Sequence, residues 1–259
     1  MEKFKSIIHR PPLERMETCE KHGEYTAKCL VNDLWLGCPS CAAERVAAAN
    51  VQFAESMARE ERARWEAKIG RSGIPERFHD RSVANYEATT PEQKFAKSFA
   101  IEYGKGIKEA MKNGKGAIFI GKPGTGKTHL ACAIGLHAMR EHNASVLFVT
   151  VMRAMRSIKD TWAKGSEISE SEAIANLVHP NLLILDEVGV QFGSEFERNT
   201  LFDVLNERYE KRRPTIFLSN LTDTEIIGFL GERVIDRLRE DGGQIVPFTW
   251  DSYRGKGQA

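Results

Sequence analysis

The chain contains 259 residues, of which 37 are basic and 36 are acidic. That balance excludes a protein that binds nucleic acid or membranes through its overall charge, so any such contact must come from a local patch. Residues 1–12 contain no apolar core of signal length, and no span approaches the ~20 apolar residues of a membrane helix. We therefore expect a soluble, cytoplasmic protein.

Four of the five cysteines lie in the first 41 residues, where two pairs of residues have the spacing of metal ligands. Cys19-x-x-His22 and Cys38-x-x-Cys41 are separated by 15 residues, and each pair can lie on a tight turn. Three thiolates and one imidazole complete a tetrahedral Zn²⁺ site with no open position, which is typical of a structural site. We therefore predict that these four residues bind zinc.

The remainder of residues 1–41 is short, irregular and poor in large apolar side chains. Such a segment could hardly fold without a metal or another cross-link. A small hairpin is expected around Lys28–Leu36, between the two ligand pairs, and Cys29 is expected to be a spare thiol. The alternative is that these cysteines bind no metal and belong to a flexible arm.

Residues 42–69 are rich in Ala, Glu and Arg and contain neither Gly nor Pro, which predicts one long helix. Its apolar stripe is thin, which favours docking into the groove of a partner over burial in a globule. The stripe consists of Val46, Phe53, Met57 and Trp65. The alternative is a solvated spacer. The Gly- and Pro-containing residues 70–75 then predict a linker.

From about residue 76 the pattern alternates between apolar strands and helical segments, which predicts a doubly wound α/β domain with a parallel sheet. The predicted strands are 117–120, 146–151, 182–186, 215–219 and 245–248.

The first of these strands runs into a complete Gly-x-x-x-x-Gly-Lys-Thr phosphate loop, and a helical stretch follows the loop. The glycines let consecutive N–H groups point at phosphates, assisted by the helix N-terminus. Lys127 can reach the β and γ phosphates, and the Thr128 hydroxyl can ligate Mg²⁺. The predicted nucleotide-binding residues are Gly121, Lys122, Pro123, Gly124, Thr125, Gly126, Lys127 and Thr128. The alternative is an ordinary glycine-rich turn, but the motif with these flanks predicts binding of a nucleoside triphosphate such as ATP.

Two acids follow the apolar run Leu182–Leu185. Asp186, at the end of a strand buried on both faces, is placed to hold Mg²⁺, and Glu187 is placed to activate the attacking water. Asn220 ends the neighbouring predicted strand and could hydrogen-bond the γ phosphate or that water. The alternative for the two acids is a core strand that runs into an acidic loop.

Three segments of the chain carry a family resemblance. They are the phosphate loop with its following His-Leu-Ala, the run Leu-Leu-Ile-Leu-Asp-Glu-Val-Gly-Val-Gln, and the run Gly-Glu-Arg-Val-Ile-Asp-Arg-Leu at 231–238. Together with the ending Trp-Asp-Ser-Tyr-Arg at 250–254, they resemble the DnaC-like AAA+ helicase loaders over about residues 70–254. The transposition helper IstB and the initiator DnaA share the general plan. The cysteine-rich front end departs from the best-known bacterial loader and resembles phage or prophage versions.

The resemblance implies roles for three arginines. Arg237 would be an arginine finger that reaches the ATP site of a neighbouring subunit, which implies self-association through that site. Arg233 would support the same interface, and Arg254 would be a second sensor that contacts the γ phosphate. The alternative is a solvated basic helix face.

A candidate DNA surface follows the second predicted strand. Arg153, Arg156 and Lys159 recur every three residues, and Trp162 continues their helix face. Basic residues beside an aromatic ring suit single-stranded DNA, because phosphates take the charge and bases stack on the ring. The resemblance implies that this segment lines a DNA channel and adds Ser194 and Phe196. The alternative is an amphipathic helix with Trp162 in the core.

The sequence thus predicts three regions: a zinc-binding module at 1–41, a helicase-binding helix and linker at 42–75, and an AAA+ ATPase domain at 76–259. The resemblance implies a loader that uses ATP and Mg²⁺ to deliver a DnaB-type replicative helicase onto single-stranded DNA. The alternatives are an IstB-type transposition helper, and a zinc-containing adaptor in which ATP is only a structural ligand.

Overall fold

A computed structural model describes residues 13–29, 34–189 and 195–253. The chain divides into two compact units, Met1–Glu66 and Ala67–Ala259. Within the described residues, no helix combines the length and the apolar character needed to cross a membrane.

The first unit begins with a two-stranded antiparallel hairpin of β1 (Leu13–Cys19) and β2 (Gly23–Cys29). This hairpin differs from the sequence prediction, which took residues 1–41 as irregular. The pairing predicted around Lys28–Leu36 is also present, since Cys29 forms an antiparallel bridge with Trp35 and the Leu36 N–H donates to Lys28 O at 2.9 Å. Both features bring the two ligand pairs together.

The long helix α1 covers Pro39–Ser72 and therefore extends three residues beyond the prediction at each end. Proline is tolerated as the first helical residue because its missing N–H has no intrahelical partner there. The helix ends before Gly73, which has a left-handed φ of 67° that favours glycine. Three residues of the predicted stripe are solvent-exposed, with Val46 59%, Phe53 67% and Met57 47% exposed, whereas Trp65 is half-buried.

The second unit is built on five parallel strands in the order β4-β5-β6-β3-β7, which confirms the predicted sheet. The strands are β3 (Ala117–Gly121), β4 (Val146–Thr150), β5 (Leu182–Val188), β6 (Thr215–Ser219) and β7 (Gln244–Phe248). Alternate residues of the central strands are buried on opposite faces, as the continuous apolar runs require. Thus Ile118 and Ile120 join the core on one face, while Phe119 contacts Phe248 on the other.

Helices cover both faces of this sheet. They are α2 (Pro91–Lys105), α3 (Ile107–Asn113), α4 (Lys127–Glu141), α5 (Val151–Asp160), α6 (Glu170–Val178), α7 (Glu195–Glu210), α8 (Asp223–Leu230) and α9 (Glu232–Glu240). Several start at a side-chain cap, as at Thr90, Ser169 and Thr222, where each hydroxyl accepts a backbone N–H three residues on. These reciprocal caps satisfy donors that the first helical turn leaves unpaired.

A buried arginine near the end of α7 hydrogen-bonds to several backbone segments of the second unit. Arg208 is 1% exposed, and its guanidinium donates to the carbonyl oxygens of Leu177, Val178, Pro180 and Pro214 at 2.6–3.0 Å. It also donates to the Thr215 hydroxyl at 3.0 Å. Burial lowers the pKa of Arg208 to about 9, and carbonyl dipoles replace the carboxylate that a buried cation usually has.

Candidate nucleotide and metal sites

The phosphate loop lies between β3 and α4, as its motif predicts. Lys127, the first residue of α4, is 6% exposed. Its ammonium donates to Gly121 O at 2.5 Å, Lys122 O at 2.9 Å and Asn220 Oδ1 at 3.0 Å. The parallel pairing of β3 with β6 brings Asn220 to the loop, because both strands end at the same edge of the sheet. Lysine and asparagine are therefore placed together where a phosphate group would lie.

The two predicted acids share this edge. The Thr128 hydroxyl donates to Asp186 Oδ2 at 3.4 Å, and the Glu187 N–H donates to Asp186 Oδ1 at 2.7 Å. Burial raises the pKa of Asp186, although these hydrogen bonds oppose the shift. A hydroxyl beside a half-buried carboxylate supplies the oxygen ligands that Mg²⁺ prefers, so the residues fit this ion.

A β-bulge lets Asp186 and Glu187 occupy the same edge. Leu185 pairs with Phe217 and Val188 pairs with Ser219, so two residues of β5 oppose the single residue Leu218. Glu187 takes a left-handed φ of 59° and is exposed. An extra residue in one strand re-aims the side chains beside it, and here Asp186 is half-buried while Glu187 faces solvent.

The sequence did not predict which residues surround the outer side of the phosphate loop. The Trp250 Nε1–H donates to Thr125 O at 2.9 Å, the Tyr86 hydroxyl donates to the same oxygen at 3.2 Å, and the Tyr253 N–H donates to Gly124 O at 2.9 Å. The only available signal was the specific Trp-Asp-Ser-Tyr-Arg ending, which the resemblance singled out without a structural role.

A cavity of about 300 Å³ opens beside the loop. Its walls include Phe78, Tyr86, His129, Trp250 and Tyr253. The His129 ring meets Tyr86 edge-on at 5.2 Å, and its Nε2 lies 3.0 Å from Ser82 O. An aromatic cavity next to a phosphate-binding loop can accept the base and sugar of a nucleotide.

The three arginines that the resemblance singled out lie apart from this cluster or outside the described residues. Arg237 lies on α9, where its guanidinium donates to Asn206 Oδ1 and stacks 4.4 Å from the centre of the Tyr209 ring. Arg233 is exposed on the same helix. Arg254 lies outside the described residues.

The candidate DNA residues divide into two groups. Arg153 and Arg156 are exposed on α5, whereas Lys159 forms an ion pair of 2.7 Å with Glu197, which is 5% exposed. Trp162 is 55% exposed, so it is not a core residue.

Trp162 contacts another candidate for DNA binding. Its ring meets Phe196 at 4.8 Å, and its Nε1–H donates to Glu170 at 2.6 Å. The two aromatic residues therefore form one surface patch. Ser194 lies outside the described residues.

In the first unit the four predicted zinc ligands converge. Their donor atoms all lie within 4.8 Å of one another. Cys19 Sγ is 3.5 Å from Cys41 Sγ and 3.7 Å from His22 Nδ1, while His22 Nδ1 is 3.6 Å from Cys38 Sγ and 3.3 Å from Cys41 Sγ. Ordinary Zn–S and Zn–N bonds in a tetrahedron separate the ligand atoms by about 3.5–3.8 Å. The donor set and its spacing therefore fit Zn²⁺.

The surroundings of this cluster favour a metal as well. Backbone N–H groups of Lys21 and His22 lower the pKa of Cys19 to about 6, which favours the thiolate form that binds metals, while the hydrogen bond with Cys19 raises the pKa of Cys41 to about 11. Glu44, which the sequence analysis missed, lies 3.0 Å from His22 Nε2 and also pairs with Lys21. A carboxylate on the second ring nitrogen orients a metal-binding histidine and fixes Nδ1 as the ligand atom.

A phosphate loop between a parallel strand and a helix, with an aspartate at the end of a nearby strand, defines a P-loop nucleotide-binding protein of the α/β class. The chain belongs to the family of IstB-like ATP binding proteins, whose model matches residues 53–259. The predicted resemblance to the DnaC-like AAA+ proteins is confirmed by its relatives.

The replicative helicase loader DnaC of Buchnera aphidicola subsp. Schizaphis graminum is 38% identical over 205 residues, which are 77% of this chain and 80% of that protein. DnaC of Escherichia coli K12 is 38% identical over 202 residues, covering 78% of this chain and 80% of that protein. The crystal structure of a DnaC helicase loader aligns with 67% of this chain and 99% of its own, with a TM-score of 0.58 and 21% identity. That last comparison supports the AAA+ fold alone.

Proposed function

We propose that this protein is an ATP-dependent loader that binds a DnaB-type replicative helicase and delivers it onto single-stranded DNA. The observation that carries the proposal is the 38% identity to replicative helicase loaders over four-fifths of their length. The intact nucleotide site supports the same function, because a loader must change its hold on the helicase when ATP is bound or hydrolysed.

In this proposal the nucleotide site hydrolyses ATP. Lys127 and the loop N–H groups bind the β and γ phosphates, while Thr128 and Asp186 hold Mg²⁺, which neutralises phosphate charge. Glu187 orients and deprotonates the attacking water, and Asn220 hydrogen-bonds the γ phosphate or that water. The contacts among Lys127, Asn220, Thr128 and Asp186 support these roles.

Two further roles depend on a second subunit and on Arg254. Arg237 acts as the arginine finger of a neighbouring ATP site, so the protein self-associates through that site. Arg254 contacts the γ phosphate within its own subunit. Because Arg237 contacts Asn206 and Tyr209 in the single chain, it must leave these partners to reach a neighbour.

For the N-terminal unit we propose that Cys19, His22, Cys38 and Cys41 bind a structural Zn²⁺. The exposed stripe of α1 then serves as a surface for the helicase, since apolar side chains in water favour a partner's groove.

Single-stranded DNA binds, in this proposal, at the exposed Arg153 and Arg156 with the aromatic pair of Trp162 and Phe196. The exposed ring of Trp162 supports base stacking. Lys159 contributes less than the two arginines, since Glu197 compensates its charge. Ser194 adds a polar contact.

The test is a binding assay between the purified full-length chain, a purified replicative helicase and, as the control partner, an IS21-type transposase. The loader proposal predicts ATP-dependent capture of the helicase and none of the transposase. Capture of the transposase alone would favour an IstB-type helper.

A Glu187→Gln variant tests hydrolysis separately. It should bind ATP as the unsubstituted chain does but lose turnover by about 10²- to 10⁴-fold, the contribution of a positioned general base. If the unsubstituted chain shows no hydrolysis with DNA or helicase present, the adaptor alternative is correct.

A further inference from the structure

The segment Trp250–Tyr253, which we call the C-terminal strap, lies against the phosphate loop. We propose that Trp250 and Tyr253 are positioning residues that orient two consecutive peptide groups of the loop for phosphate binding. This inference rests on the proposed function, because it concerns how the same site binds the triphosphate of ATP.

The fold fixes where the strap lies. Strand β7 pairs with β3 in parallel as far as Phe248 opposite Gly121, so the strap begins two residues after β7 at the level of the loop. This pairing is so close that a Cβ atom on Gly121 would meet Phe248 O at 2.1 Å. The Trp250 ring packs on Phe248 at 4.9 Å, and Phe248 packs on the buried Phe119 at 5.3 Å. The indole is therefore anchored to the core of the sheet.

From this position the strap donates hydrogen bonds to two successive loop carbonyls. Tyr253 N–H reaches Gly124 O at 2.9 Å, and Trp250 Nε1–H reaches Thr125 O at 2.9 Å. The Tyr86 hydroxyl donates to the same Thr125 oxygen at 3.2 Å. Thr125 itself is 2% exposed, so the two contacts to its carbonyl oxygen are shielded from water.

Peptide geometry converts these contacts into an orientation of the loop N–H groups. The C=O and N–H of a planar trans peptide point in opposite directions, and the described residues contain no cis peptide. A Gly124 carbonyl held by the strap therefore directs the Thr125 N–H away from the strap. In the same way, the Thr125 carbonyl directs the Gly126 N–H. Successive N–H groups that converge in this way form an anion-binding nest.

The strap thus prepares the loop before the nucleotide arrives. Gly124 and Gly126 have left-handed φ values of 79° and 96°, which reverse the direction of successive peptide planes. Because glycine has no Cβ, the same peptide planes can also rotate easily. Hydrogen bonds from the strap remove that rotation, so less ordering is needed on binding. The ligand class is a chain of phosphates, independent of the base attached to it.

The test compares full-length variants in a competition assay with a fluorescent ATP analogue, using ATP and inorganic tripolyphosphate as competitors. Trp250→Phe retains an aromatic ring on Phe248 but removes the N–H donor. Its affinity for both competitors should fall by the same factor of about three to ten, the effect of one net hydrogen bond. A residue that acted only on the base would weaken ATP binding and leave tripolyphosphate binding unchanged, and that result would overturn the proposal.

Tyr253 provides a matched pair of variants at an exposed position, so folding is not at risk. Tyr253→Pro removes the N–H donor and should weaken tripolyphosphate binding about three- to tenfold. Tyr253→Ala also removes the ring and its hydroxyl contact with Glu87 but keeps the N–H, so it should bind tripolyphosphate about three- to tenfold more tightly than Tyr253→Pro. Equal affinities for the alanine and proline variants would overturn the proposal.

A failure of the strap proposal can be distinguished from a failure of the proposed function. If the unsubstituted chain binds no ATP, the nucleotide site is wrong and the strap has no role. If it binds ATP, Lys127→Ala abolishes binding and the strap variants bind normally, only the strap proposal fails. Unchanged melting temperatures without nucleotide would exclude a general loss of structure.

Discussion

Removal of zinc should unfold the β1–β2 hairpin. Among the described residues of Met1–Glu66, the buried side chains are Ala27, Cys29 and Cys38. Such small groups contribute on the order of 1 kcal/mol each at about 0.8 kcal/mol per buried CH₂. Ordering two seven-residue strands costs about 1 kcal/mol per residue. The deficit of about 11 kcal/mol is close to the ~10–16 kcal/mol that a structural zinc site supplies.

The assay is hydrogen–deuterium exchange of the full-length chain, followed with and without a strong chelator. With one equivalent of zinc bound, the ladder amides of Leu13–Cys29 should be protected. After chelation, or in a Cys38→Ser variant, they should exchange as in an unfolded peptide, because an isolated two-stranded hairpin is marginally stable at best. The control is Cys29→Ala, which removes a buried thiol outside the ligand cluster and should retain zinc and protection.

Two results would refute this reasoning. One is less than half an equivalent of zinc in the purified protein, and the other is full protection of these amides in the metal-free chain. ATP binding by Ala67–Ala259 serves as the internal check that the second unit stays folded throughout.

Three further predictions concern the second unit. Asp186→Asn should stabilise the nucleotide-free protein by about 0.5–2 kcal/mol near pH 8 and abolish Mg²⁺-dependent ATP binding. Burial raises the pKa of Asp186, so its carboxylate destabilises the fold above that pKa and not at acidic pH. Calorimetry should therefore find that the stability gained by Asp186→Asn shrinks towards pH 4. A stability gain that does not depend on pH would contradict this. Trp162→Ala should weaken single-stranded DNA binding by about 1–3 kcal/mol in fluorescence anisotropy, whereas Trp162→Phe should weaken it less. Unchanged affinity for the alanine variant would exclude base stacking on Trp162. Arg208→Leu should lower the free energy of unfolding in urea by about 3–5 kcal/mol, because several buried carbonyls lose their donor, whereas the less buried Arg213→Leu should cost below about 1 kcal/mol. Equal losses for the two arginine variants would contradict the role of the buried network.

The sheet was predictable from sequence because its strands are continuous apolar runs that end at polar or glycine-rich segments. The predicted strand 117–120 became Ala117–Gly121, and the others shifted by no more than two residues at either end. The phosphate loop was equally clear, since its chemistry depends on consecutive residues. Asn220 could be placed near Lys127 because neighbouring parallel strands end at the same edge.

The hairpin and the strap could not be predicted, for two different reasons. The strand Leu13–Cys19 carries charges on both faces and buries little, so no alternation of apolar residues marks it. The contact between Trp250 and Thr125 joins residues 125 positions apart and depends on how β7 pairs with β3. Glu44 was missed because its contact with His22 depends on the start of helix α1, three residues earlier than predicted.

The bulge in β5 has a consequence for sequence change in this region. In a regular strand, two adjacent residues must point to opposite faces, so the acidic pair depends on one additional residue between Leu185 and Val188. Deleting one residue there would keep every core side chain of the strand but would remove one of the two carboxylates from the edge of the sheet. Deletion of one residue at this point should therefore be tolerated no better than substitution of either acid.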